Sequence, residues 1–131
     1  MIPYWIQHAD FSSDDFDPVD YRQATVVIQA YDWTTELRNQ ADREAAGEEA
    51  CDSGVGFVAP EGRILHICPG PGGQCYFHYH FTESRKILGL IPASSQSIRS
   101  AFDVPVSDIP DVIYRFFNSD HDWLVSNTQS A

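Results

Sequence analysis

The spacing of apolar residues changes from helical to alternating partway along this chain, and that change constrains the fold more than any single motif. Val26, Ala30, Trp33, Leu37, Ala41 and Ala45 fall three and four apart, the repeat of one helix face. From Val55 onward apolar residues alternate with others, the repeat of strands covered on one side. VGFVA (Val55 to Ala59), the turn PEG and RILHIC (Arg63 to Cys68) predict a β-hairpin. Proline suits the first central turn position and Gly62 the left-handed one. PGPGG is a looser connection to QCYFHYHF (Gln74 to Phe81), and KILGLI (Lys86 to Ile91) follows the turn TES. Four successive short strands imply an antiparallel meander.

The remaining boundaries follow from breakers and caps. Residues 1–17 carry no period and read as an irregular arm. Asp17 followed by Pro18 reads as an N-cap with proline in the first turn, which starts a helix over 18–50. The meander spans 55–91, and residues 92–106 are polar without an assignable period. A closing helix over 107–118 starts at Ser107, keeps Pro110 in its first turn and turns Ile109, Val112, Ile113 and Phe116 inward. Residues 125–131 read as a frayed tail. The expectation is one α+β domain over 1–131: N-terminal helix, four-stranded antiparallel meander, and a C-terminal helix packed on one face of the sheet.

Charge limits the partners. Nineteen acidic residues against eight basic ones give a formal charge of −11, a field that repels nucleic acid and anionic membrane and speeds encounter with a basic protein. The acids cluster in DFSSDDFD (Asp10 to Asp17), EAAGEEACD (Glu44 to Asp52) and SDHDW (Ser119 to Trp123). Acids interleaved with aromatics resemble the rim and anchors of a protein interface. The start, MIPYWIQHAD, has neither a basic n-region nor an apolar h-region, so a cytoplasmic location is expected. Three cysteines without a CxxC pair read as reduced, buried thiols.

The catalytic candidates are few. Gly72, His78, His80, Glu83 and Gly89 resemble the first metal-binding motif of cupins, which implies a small metal-dependent enzyme using His78, His80 and Glu83. The glutamate and the last glycine arrive at least one residue early, and one lost residue in an alternating strand turns the carboxylate to the other face. A jelly roll also needs about eight strands. On QCYFHYHF the alternate set Cys75, Phe77, Tyr79 and Phe81 is core-like, leaving Tyr76, His78 and His80 on the wetter face, with His66 expected on the neighbouring strand. No nucleophile elbow and no phosphate-binding lysine motif occurs.

A small acidic α+β chain without catalytic motifs, closing on RFFNSDHDWL (Arg115 to Leu124), resembles the immunity proteins of bacterial polymorphic and contact-dependent toxin systems. Some of these, including families that protect against deaminase toxins, similarly end in a helix with paired aromatics and a tryptophan soon after. The resemblance implies a non-enzymatic inhibitor, without cofactor, that occludes the basic active-site cleft of a cognate toxin domain. The residues expected at that contact are Asp10, Phe11, Asp14, Asp15, Phe16 and Asp17 of the arm and Asp120, Asp122 and Trp123 of the tail. The sheet face with Tyr76, His78 and His80 is the second surface. Two alternatives stay open: the cupin-like metal protein, and a soluble domain whose acidity serves solubility alone.

Overall fold

The computed structural model describes residues 1–87 and 91–130, with the backbone alone for 84–87 and 91–93. Its strands are β1 (Ile2–Gln7), β2 (Ser13–Val19), β3 (Gly54–Val58), β4 (Ile64–Pro69), β5 (Gln74–Ile87), β6 (Ile91–Pro105) and β7 (Gln129–Ser130). Its α-helices are α1 (Tyr21–Ala30), α2 (Trp33–Ala45), α3 (Ile109–Phe117) and α4 (His121–Ser126). All seven strands form one antiparallel sheet in the order β2-β1-β3-β4-β5-β6-β7.

The α+β class stands, but the expected architecture does not. The N-terminus is a strand, not a helix, and the sheet has seven strands instead of four. Residues 1–17, read as an irregular arm, form most of a hairpin whose first strand pairs on both edges, with β2 and β3. Alternation was masked there because β2 reads SDDFDPV, an edge strand with no deeply buried side. The stretch Thr82–Ser84, read as a turn, continues β5, and the unassigned residues 92–105 form β6, which pairs along β5. Polar residues suit these strands because β5 and β6 run on past the end of β4. Leu88, Gly89 and Leu90 of the expected strand KILGLI lie outside the described residues.

The helix expected over 18–50 is two helices. Asp17 and Pro18 belong to β2; the N-cap is Asp20, whose carboxylate accepts from Gln23 N while the Gln23 side chain accepts from Asp20 N, a reciprocal capping box. Tyr31 turns extended and Asp32 caps α2 through Thr35 N. The expected apolar stripe is therefore split. Ala24 and Ile28 face the core, while Val26 is 61% exposed. The helix expected over 107–118 is α3, which starts at Ile109 instead of Ser107, has no side-chain cap from Asp108, and ends at the expected Asn118 cap. The tail, read as frayed, holds α4 and β7; Arg99 fastens β7 by donating to the Thr128 carbonyl (2.6 Å) and hydroxyl (3.1 Å).

The core lies between one sheet face and α1, α3 and α4. Val55, Phe57, Leu65, Ile67, Phe77, Tyr79 and Phe81 meet Ala24, Ile28, Ile109, Val112, Ile113, Phe116 and Leu124. Here the odd-numbered residues of β3, β4 and β5 point to the helices, as the alternation in QCYFHYHF predicted. Helix α2 fully buries no residue and adds the part-buried Trp33.

Candidate functional site

The opposite sheet face carries a row of residues that crosses all seven strands. In register these are Asp15, Trp5, Gly56, His66, His78, Ser100 and Gln129. A parallel row holds Val58, Ile64, His80 and Ile98. The row exists because directly paired residues of antiparallel strands share a face. Gly56 is needed at its place: a Cβ there would overlap the Trp5 indole. The indole instead lies flat over the glycine and stacks on His66, with centroids 5.5 Å apart.

The aromatic partners of this face all come from the sheet. His66 lies 6.4 Å from His78, Tyr76 meets His78 edge-on at 5.5 Å, and Tyr76 stacks on Phe102 at 5.9 Å. His78 Nδ1 and Ser100 Oγ share a 2.7 Å hydrogen bond, and Asp52 lies 3.9 Å from His78 Nε2. Burial, then the neighbouring His78, pull the pKa of His66 down to about 4 against a weaker opposing pull from Asp52. Burial followed by His78 also lowers that of His80. The buried thiol of Cys68, opposite Tyr76, is pushed well up by burial and by Asp52. At neutral pH both His66 and His80 are uncharged and Cys68 is a thiol, so the centre of the face is largely aromatic. Around it Ile98 and Phe102 are 44% and 55% exposed.

The structure redistributes the expected contact residues. Tyr76, His78 and His80 share the uncovered face, as their alternation indicated. Asp15 joins its row from the edge strand. Phe16 turns the other way, stacked on Tyr4 at 4.6 Å. Asp14 accepts from His8 at 2.9 Å, and that bond, opposed by burial, raises the His8 pKa. Asp10 is tied to Ser12 inside the β1–β2 turn, beside the exposed Phe11 at positive φ. Asp17 sits at the irregular end of the β1–β2 pairing. The tail group is elsewhere. Asp120 caps α4 through Trp123 N and pairs with Arg115, whose guanidinium covers the Trp123 ring; Asp122 is exposed in the first turn. The arm lies on β1, β2 and their turn at one sheet edge, whereas α4 packs through His121 on Tyr79 and Phe81 of β5, three strands in from β1. Arm and tail therefore do not form one patch.

The metal-ligand set His78, His80 and Glu83 is not brought together. β5 runs straight through residues 78–83, so Glu83 shares its face with Phe81 and Tyr79, and its carboxylate accepts from Ser97 Oγ at 2.8 Å. Among the described residues no group of three or more His, Cys, Asp or Glu is placed to hold a metal ion. Sequence reasoning missed Trp5, Asp52, Ser100 and Phe102 as members of the face. Their signal lay only in the pairing of β1, β3 and β6 with the central strands, which no local pattern reports. No family model, curated protein or solved structure matches the chain.

Proposed function

We propose that this chain is a non-enzymatic immunity protein that neutralises a basic toxin domain, docking with its uncovered sheet face. The observation that carries the reading is the part-buried aromatic row Trp5–His66–His78, flanked by exposed Ile98 and Phe102 and bordered by Asp15 and Asp52. Interfaces place desolvated aromatic anchors inside a polar rim, and an acidic rim selects a basic partner. The formal charge of −11 adds long-range attraction. Occlusion of a cleft needs no catalytic group, and the buried thiols, raised in pKa, supply no nucleophile.

The test is co-expression with the product of the adjacent reading frame. Rescue of growth and a stoichiometric complex are expected. Phe102→Asp, on an exposed side chain, is expected to weaken the complex at least 100-fold with the fold intact by circular dichroism. An adjacent gene without toxicity, or a complex indifferent to Phe102→Asp and to Tyr76→Ala, would sink the reading.

A further inference from the structure

On the helix-covered side of the sheet, away from the docking face, a cavity of about 900 Å³ opens between the chain start, the β3–β4 turn and the α3–α4 connection. Ile2, Arg63, Phe81, Phe117, Ser119 and His121 are among its walls. The volume lies within the range of small-molecule sites.

Arg63 is the unusual group there. Its guanidinium lies over the Phe116 ring, 5.1 Å from the centroid, and donates from Nη2 to Ser119 Oγ at 3.0 Å. The guanidinium also interacts with the neighbouring Tyr79 hydroxyl, yet Nη1 is buried without a hydrogen-bond partner and none of the ion pairs among the described residues includes Arg63. Glu61 also lines the cavity yet makes no such pair. A guanidinium has five donors and a fixed charge, and one held partly buried is costly without a counter-charge. In a chain with nineteen acids, a counter-charge was readily available and is not supplied. Beside it, the Tyr79 hydroxyl and His121 Nδ1 share a 2.8 Å bond. His121 Nε2 is thereby left as the ring nitrogen open to a ligand. Two residues at the rim, Glu61 and Ser119, hold positive φ without being glycine, a strain that clusters at binding sites.

We propose that this cavity binds a small amphiphilic carboxylate, its head group on Arg63 and His121 and its apolar body against Ile2, Phe81 and Phe117. A carboxylate fits better than a multiply charged phosphate because Arg63 is the one Lys or Arg side chain among the walls, half the walls are aromatic or aliphatic, and the surrounding field is negative. The proposal is independent of the docking face, so either can fail alone.

The probe is 4-phenylbutyrate, titrated into the ¹⁵N-labelled chain and into a calorimeter. Saturable shifts at the amides of Arg63, Phe81, Ser119 and His121 are expected, with binding at least ten times tighter than for 4-phenylbutanol. Arg63→Met keeps an apolar stem on Phe116 and removes the charge, and is expected to lose affinity at least 10-fold. Should that variant unfold, His121→Gln, on an exposed side chain, is expected to lose about 5-fold. Absence of saturable shifts at millimolar probe, equal affinity for the alcohol, equal affinity for inorganic phosphate, or unchanged affinity in whichever variant folds would each overturn the proposal.

Discussion

Gly56 and Trp5 show how one residue without a side chain determines where a large one goes. The indole occupies the space a Cβ would take, so Gly56→Ala forces the ring off His66. The expected cost is about 1–3 kcal/mol, the usual penalty for overfilling a packed site. In a Trp5→Ala background the same change should be close to neutral, and a denaturant double-mutant cycle checks the coupling. His66 sets a pH dependence. Its folded pKa of about 4 lies below the ordinary 6.5, so between those values the unfolded chain holds a proton that the folded chain lacks. Stability from this group is complete above pH 6.5 and is lost as pH falls toward 4, by at most about 3 kcal/mol. Urea midpoints at pH 7.5 and 4.5 should fall in that order, and His66→Phe should reduce the difference. A His66 ring titrating near 6.5 by NMR would refute the assigned burial.

At the scale of elements, the break between α1 and α2 and the edge strand β2 decide how the first fifty residues fold. Asp20, with its capping box, begins α1, so Asp20→Ala should cost about 1 kcal/mol. Asp17→Ala, at the position the local sequence favours as a cap, should change stability by less than about 0.5 kcal/mol. Thermal unfolding of the two variants separates the readings. β2 offers an unpaired edge, and Asp15, Asp17 and Pro18 are residues that discourage a second strand from adding there. The pair Asp15→Thr/Asp17→Thr should therefore self-associate at concentrations where the parent chain is monomeric by sedimentation; an unchanged profile would mean the acids are not protecting the edge. Much of this was legible locally. The hairpin β3–β4, the inward set of β5 and the face of α3 follow from period alone, because each buries one side fully. β1, β2 and β6 were not legible, since their burial is partial and their pairing is with strands distant in sequence.

For the whole molecule, net charge is the property with the longest reach. If the −11 charge steers a basic partner, raising salt from 50 to 500 mM should slow association at least 10-fold with little change in dissociation. Stopped-flow mixing measures both; a salt-independent association rate would confine the acids to a solubilising role. No helix among the described residues is long and apolar enough to cross a membrane. The sequence by itself determined the mixed α+β class, the central antiparallel strands, the outward set Tyr76, His78 and His80, and the negative field, because period and charge are local or additive properties. Only the tertiary structure decided that the N-terminus is a strand, that Trp5, Asp15, Asp52 and Phe102 join those histidines, that Glu83 does not, and that the arm lies at a sheet edge while the tail acids sit on α4 over β5. Those outcomes depend on strand register and sheet order, which are set by the packing of segments far apart in the chain.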